Sequence, residues 1–261
     1  MTFTYEDITL YYERYGYDKN KKSIVILPGW GDNRKTFSYI INFLKYFYTI
    51  YIIDLPGFGK STFPNKDLTI YDYTLLIQEF IRFLKLEQPI LIGHSFGGRI
   101  ILTLCGYYRF EAKKIVLIDS AGIRRKRNIL LLLKTYLYKF LKKLKFLIPK
   151  RKRKNYLQYL LHIFASKDYK NLNNSMRKTF QNIVNEDLSY YLKEITCPTL
   201  LLWGKKDKDT PLKDAKKMNK NIKNSTLLEL NGSHFCYLEN IRLVNKILYE
   251  YLTEDKKKKD F

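Results

Sequence analysis

The sequence is sparing with the residues that staple or rigidify small secreted folds. Its 261 residues include three cysteines, Cys105, Cys197 and Cys236. Their odd number and wide separation match neither a disulfide framework nor a metal-ligand spacing, so they read as reduced thiols in a cytoplasmic protein, each a small apolar filler. Seven prolines and twelve glycines exclude collagen-like and low-complexity compositions. The opening stretch MTFTYEDITLYYERYG carries early acids and no apolar run, which predicts no secretory signal. Histidine is scarce as well. Chemistry that needs an imidazole has only His94, His162 and His234 to draw on. Acid is lacking in one region: fourteen lysines and arginines and no Asp or Glu fall between Arg124 and Lys154. Elsewhere 34 basic residues face 25 acidic ones, so much of the net charge of +23 belongs to this one segment.

What is present is an alternation of strand and helix. TFTYEDITLYYERYG reads as two strands joined at Glu6-Asp7. SIVIL (23–27), TIYIID (49–54), PILIG (89–93), KIVLID (114–119), TLLLW (199–203) and STLLEL (225–230) read as further strands. Helical spacing falls at 34–47, 69–86 with Thr69 as N-cap, 96–108, 211–221 and 236–252. Apolar runs without alternation belong to strands buried on both faces, which predicts an α/β architecture with a mostly parallel sheet. Ligands then bind beyond the carboxyl ends of the strands, so the loops after 27, 54, 93, 119, 203 and 230 are the informative ones.

In LIGHSFGGR (91–99), Ser95 stands at the end of an apolar strand and the start of a helix, with Gly93 two before it and Gly97 two after, followed by Gly98. This is the G-x-S-x-G elbow: a turn so tight that side chains at the flanking positions would collide, and one that presents Ser95 Oγ outward. A neutral hydroxyl needs a base. His94 adjoins the serine but points the other way along the elbow, and His162 lies in the basic insertion between strands 114–119 and 199–203. His234, in NGSHF after the last strand, is positioned to serve. The orienting acid is Asp207 in WGKKDKDTP, with Asp209 and Asp119 as competitors. Ser95, Asp207 and His234 follow in α/β-hydrolase order. The oxyanion requires donors: the backbone N–H of Phe96 is one, and that of Trp30, in LPGWGDN, the other.

With these residues in place the chain resembles the α/β-hydrolase superfamily over nearly its whole length. LPGWGD is similar to the oxyanion loop, DLPGFGKS (54–61) to the D-x-x-G-x-G-x-S turn, GHSFGG to the elbow, WGKKD to the acid loop and GSHF to the base loop. The usual histidine before Gly29 is Pro28 here. Serine at 95 argues against the branches with an aspartate nucleophile. The PGWGDN loop and the basic segment are similar to carboxylesterases that cleave the methyl ester of pimeloyl acyl-carrier protein. Gly98-Arg99 is similar to the menaquinone-pathway synthase, a lyase with the same triad, and Arg99 is accordingly a candidate for binding a substrate carboxylate.

The resemblance also implies a helical cap between strands 114–119 and 199–203. The expected organisation is a core of 1–121 and 194–261 with a basic cap of 122–193. Within it Leu130, Leu133, Leu137, Phe140, Leu141, Leu144 and Leu147 share one helical face, expected to lie on the pocket with the lysines in water. Residues 124–154 also suit an anionic membrane surface or an acidic carrier protein. Nucleic acid is not expected, because no binding motif accompanies the charge. The expected activity is hydrolysis of a small-molecule carboxylic ester or acyl thioester through an acyl-enzyme, with no metal or organic cofactor, in a cytoplasmic protein at most peripheral to a membrane. The rival readings are the triad-dependent lyase and a catalytically silent fold that binds lipid or carrier protein through its cap.

Overall fold

The computed structural model describes residues 1–16, 18, 22–124, 129–164 and 174–257. Eight strands form one sheet: β1 Thr2–Tyr5, β2 Ile8–Tyr15, β3 Ser23–Leu27, β4 Thr49–Asp54, β5 Ile90–His94, β6 Ile115–Ile118, β7 Thr199–Gly204 and β8 Ser225–Leu230. Their spatial order is β1-β2-β4-β3-β5-β6-β7-β8. β1, β2 and β4 pair antiparallel, and every other neighbouring pair is parallel.

The unalternating apolar runs are explained by two cores, one on each face of the sheet. Val25, Leu27, Ile53, Leu91, Leu117 and Leu201 point to one side, and Ile24, Ile26, Ile52, Ile92, Val116 and Leu202 to the other. The first core packs under α2 Ile70–Phe83 and α3 Phe96–Leu102, the second under α1 Ser38–Leu44 and the C-terminal helix. Thr69 caps α2 as expected: its hydroxyl accepts from Asp72 N–H while the Asp72 carboxylate accepts from Thr69 N–H.

Three helices differ from the sequence reading. The one expected over 34–47 opens as a 3-10 turn, 34–37, before α1. The one expected over 96–108 continues past α3 as a π-helical turn, 103–107. The closing helix breaks at Asn240, whose side-chain amide donates to the carbonyls of Asn231 and Cys236. It becomes a short turn, Cys236–Glu239, and a long helix, Ile241–Lys257.

Between β6 and β7 the described residues include the helices α4 Ile129–Lys143, α5 Arg153–Phe164 and α6 Asn174–Asn185, two 3-10 turns, 144–147 and 150–152, and a 3-10 segment, 188–194. α4 and α5 make a hairpin: Tyr138 packs on Phe164 with ring centroids 5.7 Å apart, and Tyr156 Oη donates to Leu141 O at 2.8 Å. Here the expected apolar face needs correction. Leu141 and Leu144 are half-buried, but Leu137, Phe140 and Leu147 stand in solvent. The side chains of Leu130 and Leu133 lie outside the described residues. Among the described residues no helix is long and apolar enough to cross a membrane.

Candidate active site

β5 ends in His94, and the chain turns at Ser95 with φ 49° and ψ −107° before entering α3. A non-glycine residue in that region costs about 1–3 kcal/mol, and the neighbourhood holds it there. Ser95 N–H donates to Ile118 O at 3.1 Å, and Ser95 O accepts from Ala121 N–H at 3.0 Å. A Cβ on Gly97 would lie 1.9 Å from Leu27 O, so α3 can approach β3 this closely only with glycine at that position.

His234 lies in the loop after β8. Its Nε2 is 3.0 Å from Ser95 Oγ and its Nδ1 2.8 Å from Asp207 Oδ2. The structure thus brings together the three residues expected to work in concert. It also separates Asp207 from its competitors. Asp207 Oδ1 accepts from the N–H groups of Asp209 and Thr210, at 2.7 and 2.9 Å, and Oδ2 accepts from Thr210 Oγ1 at 2.6 Å. Burial opposes charge on Asp207, but hydrogen bonds from His234 and Thr210 outweigh it and hold the carboxyl below its ordinary pKa. Burial likewise disfavours the imidazolium of His234, yet the bond to Asp207 and its charge raise that pKa above the ordinary value.

Asp209 is exposed and contributes its backbone to Asp207. Asp119, fully buried after β6, serves as a tie between loops. Its Oδ1 accepts from Gly204 N–H at 2.7 Å, its Oδ2 from Cys236 N–H at 3.4 Å, and its carbonyl from Thr210 Oγ1 at 3.0 Å. Burial pushes its carboxyl up to about 7. Sequence reasoning missed Thr210 altogether; its place three residues after an aspartate, in an Asx-turn pattern, was the available signal.

His94 is a neighbour rather than a base. Its Nε2 lies 2.8 Å from His234 O, a carbonyl that can only accept, so Nε2 carries the proton. Burial pushes its pKa down to about 3, so it stays neutral. His162 is exposed on α5.

The loop after β3 lies against the elbow. A Cβ on Gly29 would be 2.9 Å from His94 Nδ1 and 3.5 Å from Ser95 Cβ. Pro28 is buried, and the turn after it closes through Asp32 N–H on Gly29 O at 3.2 Å, a contact that needs no side chain at 28. As the first residue of α3, Phe96 has an N–H with no intrahelical acceptor. The Trp30 indole meets Phe58, Phe96 and Phe180 edge to face, with centroids 4.9, 5.1 and 5.2 Å apart. Phe180 comes from α6, which also sets Met176 over Gly57 and whose Thr179 Oγ1 accepts from Leu68 N–H at 2.9 Å. This helix covers the loops beside Ser95. The sequence reading overlooked it, although Met176, Thr179, Phe180 and Ile183 fall at helical spacing.

Arg99 requires a correction. It is buried, and its Nη1 donates to the carbonyls of Ile183 and Glu186 at 2.8 Å each. The residue clasps the C-terminal end of α6, where helical carbonyls lack partners, so this nitrogen is committed to the fold rather than turned to the substrate carboxylate for which Arg99 was a candidate. Among the described residues, the grouping able to offer a metal three ligand atoms is Asp207, Asp209 and His234, within 4.8 Å of one another. Two of these already bond each other.

A serine–imidazole–carboxylate line at the carboxyl edge of a mostly parallel sheet defines a class, and comparison with known proteins agrees. The chain belongs to the α/β hydrolase fold family, whose model matches residues 22–241. It is 29% identical over 252 residues to a pimeloyl-[acyl-carrier protein] methyl ester esterase of Wigglesworthia glossinidia brevipalpis, covering 88% of this chain and 93% of that one. It is 26% identical over 293 residues to a monoacylglycerol lipase of Homo sapiens, covering 98% and 84%. Among solved structures, an esterase from Exiguobacterium antarcticum superposes with a TM-score of 0.71 at 25% identity, over 94% of this chain and 96% of the other.

Proposed function

We propose that the protein hydrolyses a carboxylic ester or thioester through an acyl-enzyme on Ser95. The observation that carries this reading is the continuous line from Ser95 Oγ through His234 to Asp207, at 3.0 and 2.8 Å. Relatives named as esterases and a lipase support it.

Asp207 accepts the proton-bearing Nδ1 of His234, which leaves Nε2 bare as a base toward Ser95. Oγ bonds to the substrate carbonyl carbon as its proton passes to Nε2. The carbonyl oxygen becomes an oxyanion facing the N–H groups of Phe96 and Trp30. As the tetrahedral adduct collapses, the bond to the leaving oxygen or sulfur breaks and Nε2–H protonates it. Water then attacks the acyl-enzyme, with Nε2 again taking a proton, and the acid departs. Asp207, kept ionised by four hydrogen bonds, stabilises the imidazolium in both halves. No step calls for a metal or an organic cofactor.

The lyase reading draws on a carboxylate-binding Arg99, and the commitment of that side chain to Ile183 and Glu186 weighs against it. The test is turnover of p-nitrophenyl esters from acetate to laurate by the wild type and Ser95→Ala. Turnover that disappears in the variant is the expected result. Equal turnover by both, or none by the folded wild type at any chain length, overturns the reading.

A further inference from the structure

The α4–α5 hairpin combines two properties that are rarely found together on a surface facing water. First, large apolar side chains stand exposed: Tyr136 at 67%, Phe140 at 60%, Phe146 at 65% and Leu147 at 66%. Soluble surfaces seldom collect such groups without a partner for them. Second, the charged residues of the hairpin's own segment are all cations. From 129 to 164 the sequence has ten lysines and arginines and no acid, and Lys139, Lys142, Lys143, Lys145 and Lys150 are exposed. On α4, Tyr136, Lys139, Phe140 and Lys143 follow at three- and four-residue intervals, so apolar and basic groups share one side of the helix.

Electrostatics alone would suit any polyanion. The exposed aromatic and aliphatic groups narrow the choice. Rings and leucines gain free energy by entering the headgroup–acyl boundary, while lysines reach with flexible stems toward anionic headgroups. We propose that this face of the hairpin docks the protein on an anionic lipid bilayer. The surface lies in the same insertion as α6, the helix that covers the loops beside Ser95. The inference stands on the hairpin itself and does not depend on the hydrolase reading.

The experiment is co-sedimentation of the full chain with vesicles of phosphatidylcholine alone and of phosphatidylcholine mixed with phosphatidylglycerol, over a salt series. It is run on the wild type and on Ser95→Ala, so that a failure of the catalytic proposal leaves this readout untouched. The expected result is binding to the mixed vesicles, weakening as salt rises, and equal for the two proteins. Replacing Lys142, Lys143 and Lys145 together by Gln should weaken it roughly a hundredfold, at the usual contribution of a basic residue near a charged membrane. Replacing Phe140, Phe146 and Leu147 together by Ser should weaken it at least about tenfold. Melting curves check that both variants are folded. Phe140→Trp supplies a reading that depends on no loss: brominated acyl chains in the mixed vesicles should quench its emission. The proposal is overturned by unquenched Phe140→Trp, by equal binding to phosphatidylcholine alone, or by apolar variants that bind as the wild type does. Capture of a purified acidic acyl-carrier protein without any vesicle binding would overturn it in favour of a protein-docking face.

Discussion

α6 and the α4–α5 hairpin belong to one insertion and treat their side chains in opposite ways. α6 is a polar-looking helix, NSMRKTFQNIVN, yet Met176, Thr179 and Ile183 are buried and Arg99 clasps its end. α4 is leucine-rich, ILLLLKTYLYKFLKK, yet Leu137 and Phe140 are left in water. Hydrophobic content therefore did not decide which helix closes over the site. Anchorage did: α6 has partners on the loops after β3 and β4 and on α3, whereas the described side chains of α4 meet α5.

The largest expected effect tests the site that α6 covers. Asp207→Asn should lower kcat on a soluble ester by about 10⁴, while Asp209→Asn, which retains its backbone bond to Asp207, should cost less than about tenfold. If Asp209→Asn proves the more damaging in steady-state kinetics, the acid is misassigned.

Next comes the pH dependence of kcat/KM. His234 acts as a base only when neutral, and its pKa is raised by Asp207 against the opposing effect of burial. Activity should therefore fall as pH drops through a midpoint above about 6.5, tenfold per pH unit below it. A midpoint at or below the ordinary histidine value would contradict the pairing.

Arg99 separates the two regions directly. Burial lowers its pKa to about 10, so it remains charged at neutral pH. Arg99→Ala leaves two carbonyls at the end of α6 without their donor and should destabilise the protein by about 3 kcal/mol, measured by denaturant unfolding, with a rise in KM as α6 loosens. A loss of kcat with unchanged stability and KM would instead restore the substrate-binding role.

The smallest effect sharpens the contrast. Met176→Ala, on the buried face of α6, should cost about 2 kcal/mol. Phe140→Ser, on the exposed face of α4, should shift stability by no more than about 0.5 kcal/mol. Similar losses for both would mean the hairpin is packed far more tightly than its exposure implies.

Much of the site was legible in the sequence because each loop carries its own local signal. The elbow glycines around Ser95, the loop of His234 and the N-cap at Thr69 are short-range patterns whose geometry follows from sterics within a few residues. The clasp of Arg99 was not legible, since its acceptors lie 84 and 87 residues away. Nor was the break at Asn240, where side-chain bonds to Asn231 and Cys236 outweigh helical periodicity.

By itself the sequence determined the alternation of strand and helix, the mostly parallel sheet and the order in which the loops of Ser95, Asp207 and His234 arrive at one edge, because hydrophobic periodicity and turn sterics act locally. Only the tertiary structure decided that Asp207 and neither Asp119 nor Asp209 meets His234, that Arg99 holds a helix, and that α6 covers the site while Leu137 and Phe140 of α4 meet water. Those outcomes depend on distances of a few ångströms between segments far apart in the chain, and on which surfaces remain after the core has closed.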